Sequence, residues 1–331
     1  MADPAAEEGV GRIVSFPPPG DMPLMKLLAE IFLVVTLPII ALIAVGYGVQ
    51  TRVPEARKVL SYVYTNVVLP GFMVYFLSTT TLPLTALWPV VWFTVVQSAL
   101  VGAVGWLWAR LLGLPGGVRP VVAIGGVFAN TGNFGVPLAI LAFPPEYTAD
   151  QAVIAAITAI IFVPLCTLVL APGEQKGWRR TFVTVATNPI VVGVGAGLAL
   201  RVAGVHLPDI IAKPLQMLAA AYTAIALMSL GAALHGGSIK LADIALRITL
   251  LMKLLISPLL TWALGYALGF ANTQLALFVV AASMPTAALV GVIAKQNERS
   301  PETATSAVFI STLLAPLVVT IWIFTMRYFS P

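Results

Sequence analysis

NTGNFGVPL, residues 130–138, interrupts the apolar run VVAIGGVFANTGNFGVPLAILAF at 121–143. Pro137 has no N–H, and its ring clashes with the carbonyl four residues earlier, that of Asn133. Gly132 and Gly135 lower the cost of unwinding. Together they predict a break in an otherwise membrane-length helix. Irregular backbone at that depth survives only where protein or a water-filled cavity satisfies it. Asn130 and Asn133 each bring one acceptor and two donors to that task. The freed N–H groups at the start of the second half-helix suit an anion. Asn130, Thr131, Gly132, Asn133, Gly135 and Pro137 are therefore expected to build a substrate site. The competing reading is a plain proline kink, with small residues serving close helix packing.

The rest of the chain has the same character. Its 331 residues are 59% hydrophobic and 9% charged, with a mean hydropathy of +0.98. A soluble domain carries about 25% charged residues, so most of this surface cannot face water. Apolar runs of membrane length recur throughout, which gives an all-α polytopic membrane protein. A β-barrel would instead show ten-residue alternating segments. The net charge of +5 does not imply nucleic acid, because the basic residues fall in short loops between spans. A single cysteine, Cys166, excludes an internal disulfide and a cysteine metal cluster. The polar, Pro-rich segment 1–30 reads as a flexible tail rather than a signal peptide. Met22 is a second candidate start.

Ten spans are expected, near 31–50, 58–79, 86–110, 120–143, 151–171, 181–201, 213–234, 244–269, 274–295 and 304–326. Twelve Lys and Arg lie in the loops after spans 1, 3, 5, 7 and 9, and five lie on the other side. The Lys/Arg bias puts the first set in the cytoplasm and both termini outside it, in a bacterial inner membrane. Lys253 falls inside the eighth span and is the one basic residue that cannot be placed in a loop or at a span end.

The two halves resemble each other. LPIIALIAVGYGVQ at 37–50 matches NPIVVGVGAGLALR at 188–201, an offset of 151. Val53-Pro54-Glu55 matches Leu207-Pro208-Asp209 at 154, while Glu146/Glu298 and the Pro-Leu pairs at 164 and 316 match at 152. Five spans per half is an odd number, so repeats 31–172 and 173–331 enter the membrane from opposite sides. Secondary transporters recur in this architecture, with substrate at interrupted helices. The counterpart of NTGNFGVPL is ASMPTAALVG, 282–291, in span 9, where Pro285 breaks the helix and Ser283 and Thr286 are polar neighbours. Pro285 can equally be a simple kink.

NTGNFGVPL, NPI opening span 6, LMSLGAAL in span 7 and ASMPTAALVGVIAKQ in span 9 resemble the auxin efflux carrier family, bacterial permeases and plant PIN carriers, over about residues 31–328. The resemblance implies an NhaA-like or bile-acid-transporter-like fold. Helices 1, 2, 6 and 7 would form a scaffold, and helices 3–5 and 8–10 a transport unit. Broken helices 4 and 9 would cross beside an organic acid anion, carried by elevator-type alternating access. Asn130, Pro137 and Pro285 carry over by motif match. The long loop of the plant carriers between spans 5 and 6 is replaced here by APGEQKGWRR.

All 13 acidic residues fall in the tail, loops or span ends. That disfavours a cation antiporter, which needs buried carboxylates. Sodium or proton coupling, as in bile-acid symporters, stays open through carbonyls and amides at the breaks. Lys253 can pair with a substrate carboxylate or snorkel to the cytoplasmic interface. Asn66 and Tyr64 in span 2 and Ser229 in span 7 can line the scaffold side of the site or bond between helices; Gln97 bonds between helices. His206 and His235 lack partners at metal spacing, so no metal site or bound cofactor is expected. No GxSG, HExxH or intramembrane Asp pair suggests an enzyme. A receptor or channel gains little from a twofold repeat. The expected partners are the lipid bilayer, a small organic anion and a second copy in a homodimer.

Overall fold

The computed structural model describes residues 23–80, 83–170, 182–183, 186–236, 243–270 and 272–329. The tail to residue 22, with Met22, and the 171–180 loop with Lys176, Arg179 and Arg180 lie outside the described residues, as does Lys240. Apart from one isolated β-bridge, the described residues form helices and their connections. In order these are α1 (Leu24–Arg52), α2 (Ala56–Thr79), α3 (Leu84–Leu111), α4 (Arg119–Val127), α5 (Thr131–Ala142), α6 (Tyr147–Leu170), α7 (Pro189–Val202), α8 (Asp209–Leu234), α9 (Ile244–Ala267), α10 (Asn272–Ser283), α11 (Ala288–Gln296) and α12 (Pro301–Phe329). Seven helices among the described residues are long and apolar enough to cross a membrane: α1, α2, α3, α6, α8, α9 and α12. This is a polytopic membrane protein. The first helix starts at Leu24, so Leu24 to Glu30, read from sequence as tail, are its opening turns. The helix expected from 181 is continuous only from Pro189, where the Asn188 side chain caps it by accepting from the Ile190 N–H at 2.9 Å.

Five span-internal prolines share one device. Pro38, Pro70, Pro137, Pro164 and Pro258 each lie two residues after a π-helical turn, at 32–36, 64–68, 131–135, 158–162 and 252–256. Proline lacks the N–H for the α ladder and crowds the carbonyl four residues back. Widening the preceding turn by one residue makes room for the ring without severing the helix.

Close helix approaches fix the α1–α8 and α2–α7 pairs. A Cβ at Gly46 would stand 2.0 Å from the Met228 carbonyl oxygen, and one at Gly231 would stand 1.9 Å from that of Ile43. Gly193 and Gly197 give the same access to Pro70 and Met73 of α2. Without a hydrophobic drive between helices in lipid, such small-residue contacts do much of the packing. Where α2 and α8 meet α5 and α6, the two sides differ in texture. Tyr64, Phe72, Met73 and Tyr222 lie against Val136 and the alanines 152, 155 and 156, all buried.

Candidate functional site at the crossing of two broken helices

The break in the NTGNFGVPL region comes earlier than Pro137 predicts. The chain leaves α4 at an extended Phe128, is non-helical through Ala129 and Asn130, and resumes as a π-helical turn at Thr131. Pro137 falls after that turn, so its ring is absorbed there and the unwinding moves upstream. The second break, Met284–Ala287, separates α10 from α11.

The two breaks cross antiparallel and satisfy each other. Ala129 bridges Thr286. The Asn130 N–H donates to the Pro285 carbonyl at 2.8 Å, and the Ala287 N–H donates to the Phe128 carbonyl, also at 2.8 Å. Backbone groups that lipid could not satisfy are paired within the protein. Two further contacts secure α11. The Thr286 hydroxyl donates to the Gly125 carbonyl at 2.9 Å, and the Thr286 N–H donates to the Ser311 Oγ at 3.0 Å.

What the crossing leaves open is on the donor side. The N–H groups of Gly132 and Asn133, at the start of α5, have no acceptor among the described residues, and neither do those of Ala288 and Leu289 at the start of α11. Two half-helix N-termini with free donors make a neighbourhood suited to negative charge. Asn130 is 7% exposed. Its side chain does not cap the following turn and has no hydrogen-bond partner among the described residues.

Of the residues expected from sequence, the structure brings Asn130 to Gly135, Ser283, Pro285 and Thr286 together at the crossing. Ser283 and Thr286 are fully buried, and their hydroxyls go to internal carbonyls, Val280 and Gly125. Lys253 is also fully buried and does not snorkel outward. Its Nζ stands 3.4 Å from the Val127 carbonyl oxygen, at the negative end of the half-helix α4. Asn66 is not brought to the crossing: it is exposed, and its amide donates to Tyr62 of its own helix at 3.0 Å.

Several residues at the site carry no motif. The Tyr222 hydroxyl donates to the Gly132 carbonyl at 3.2 Å, and its oxygen is 3.1 Å from that of Tyr64. The Gln151 amide donates to the Thr131 carbonyl at 3.1 Å, while its Oε1 is buried without a partner among the described residues. Its neighbour Asp150, read from sequence as a span end, is buried in α6 and accepts from Gln274 of α10 at 3.3 Å. Tyr222 is a lone polar aromatic in LAAAYTAIAL, the one signal that could have flagged it.

Comparison with known proteins agrees with this picture. Residues 176–323 match the family model described as "Membrane transport protein". The chain is 26% identical over 295 residues to an "Uncharacterized transporter" of Methanothermobacter thermautotrophicus, covering 86% of this chain and 95% of that relative. Together with the apolar helices, these likenesses make the chain similar to membrane transporters, by the family model over its second half and by the relative over most of its length.

Proposed function

We infer that the chain is a secondary carrier that moves a small organic acid anion across a bacterial cytoplasmic membrane. Counting α4–α5 and α10–α11 as one interrupted span each gives ten spans, in two inverted five-helix repeats with both termini outside the cytoplasm. Gly46 and Gly197, matched at the 151-residue offset, both serve close helix approaches, in α1–α8 and α2–α7. Swapping the repeats exchanges those two helix pairs, which supports the inverted arrangement. Helices α1, α2, α7 and α8 then form a scaffold, and the others a transport unit that slides on it. The alanines that α6 turns toward α2 and α8 offer few knobs to resist such a shift. The observation that carries this reading is the antiparallel crossing, with free N–H groups and the Asn130 amide beside it. Substrate would lie there, held by neutral donors from residues 130–135, with Lys253 behind the first half-helix.

The test is uptake and counterflow of labelled malonate, malate and indole-3-acetate in proteoliposomes, with and without Na⁺ and pH gradients. Flux stimulated by unlabelled substrate on the far side is expected. Folded protein giving no flux of any anion, or flux blind to far-side substrate, would remove the carrier.

A cation-coupled version has one observation in its favour. Thr94, Ser98, Thr131, Thr158 and Thr261 surround a cavity of about 30 Å³ behind the crossing. Thr158 and Thr261 each donate to a carbonyl of their own helix at 2.7 Å, so they offer the cavity lone pairs rather than protons. Such a space suits one water or one small cation. Sodium-dependent flux, lost in Thr261→Val, would select this version.

A further inference from the structure

We propose that the hydroxyls of Tyr64 and Tyr222 form the scaffold half of the carboxylate subsite and select for acids. The proposal rests on the carrier reading above and names the substrate chemistry of that site.

Both phenols are buried, Tyr64 at 2% and Tyr222 at 0% exposure. They come from different helices of the same face, α2 and α8, and meet at 3.1 Å. The direction of the protons follows from their partner. A carbonyl only accepts, so the single Tyr222 proton goes to Gly132 at 3.2 Å. The Tyr64 proton then goes to the Tyr222 oxygen. The pair is a short chain of donors aimed at the broken turn of α5. Among the described residues it makes the only hydrogen bond from α2 or α8 to that turn.

The surroundings fix the pair. Phe72 stacks on the Tyr222 ring with centroids 4.3 Å apart, and the two tyrosine rings lie 5.8 Å apart. Tyr64 opens the π-helical turn of α2, a distortion that recurs at functional positions. A Cβ on Gly132 would stand 3.0 Å from the Tyr64 hydroxyl, so glycine there is what lets the phenols reach the backbone.

The Gly132 carbonyl is thus the oxygen acceptor at the end of a chain of two scaffold phenols, a place-holder for a carboxylate oxygen. The same turn carries further unclaimed donors, the N–H groups of Gly132 and Asn133. When the transport unit shifts, Gly132 leaves and the phenols need another acceptor, because a buried donor without one is costly. A carboxylate supplies acceptors alone. A primary amide of the same shape turns an NH₂ toward at least one donor, which works against it.

The test uses the full-length chain in proteoliposomes, with labelled malonate, malate and indole-3-acetate, each competed by its unlabelled acid or amide. The wild type is expected to prefer acid to amide. Tyr64→Phe and Tyr222→Phe keep the rings and their packing. Each should raise the KM for acid about tenfold, as loss of one hydrogen bond to a charged group implies, and flatten the preference. Phe variants that keep KM and preference, losing only rate or thermal stability, would show that the phenols merely brace the helices, and would overturn this subsite alone. A wild type that carries none of the acids would overturn the carrier reading and the subsite with it.

Discussion

The two breaks start from the same chemistry, a proline among small and polar residues, and end up differently employed. At the α10–α11 break every polar side chain turns inward. Thr286 clasps Gly125, its N–H takes Ser311, and Ser283 bonds within its own helix. At the α4–α5 break the backbone is tied to its counterpart by the same two hydrogen bonds. Two N–H groups stay free, those of Gly132 and Asn133, as two do at the start of α11. Here, however, a buried polar side chain, that of Asn130, also stays unclaimed among the described residues. Symmetric breaks therefore need not share a task. One braces the crossing so that the other can stay incomplete, and an incomplete shell of donors is what a ligand can finish.

This contrast can be broken in order of severity. The largest effect is expected for Asn130→Ala, which removes an unclaimed donor and leaves the crossing intact. A hydrogen bond to a charged group is worth up to about 3 kcal/mol, so transport should fall roughly a hundredfold with unchanged thermal unfolding in detergent. Normal transport by this variant would dissolve the difference between the breaks. Lys253→Met comes next and should move two quantities in opposite senses. A buried ammonium whose one hydrogen-bond partner among the described residues is a carbonyl oxygen is a costly arrangement, so the thermal midpoint should rise. Losing the charge at the end of α4 should lower transport about tenfold, within the range for a partly buried helix terminus. A midpoint that falls would mean that the ammonium holds the fold together. Thr286→Val is a test of bracing alone. It leaves the Gly125 carbonyl without its donor and should lower stability by about 1–3 kcal/mol, read by thermal unfolding, while transport per folded molecule is largely kept. Transport abolished in a stable protein would put substrate at this break instead. Smallest is Asn66→Ala, expected to stay within about 0.5 kcal/mol in stability and to leave flux unchanged. A clear loss of flux would show that the exposed face of α2 takes part.

Class and breaks were legible because both rest on local chemistry. Apolar length dictates a membrane helix, and proline with glycine dictates an interruption. Where the interruption fell was not local. Pro137 points to Asn133, but the chain unwinds at 128–130, where the opposite break offers a carbonyl and an N–H at the right spacing. Tertiary pairing moved the break upstream. Residues 130–135 were legible for the same reason, whereas Tyr222, Gln151 and Ser311 sit in plain helical stretches and become neighbours of the crossing only by packing. Asn66 misled because a polar residue in an apolar run reads as inward-facing, and one intrahelical hydrogen bond suffices to keep it outside. Asp150 was placed near a span end correctly, but its burial against Gln274 depends on a helix more than a hundred residues away.

The widened turns ahead of five prolines reach beyond the relief of clashes. One extra residue swings everything downstream by about 100° about the helix axis. No single 3.6-residue register therefore runs through α1, α2, α6 or α9, and a helical wheel drawn along their full length would assign half the residues to the wrong side. In each of these helices the proline acts as a phase marker. It sets which stripe of its own segment meets the neighbouring helix, independently of the stripe chosen by the segment before it.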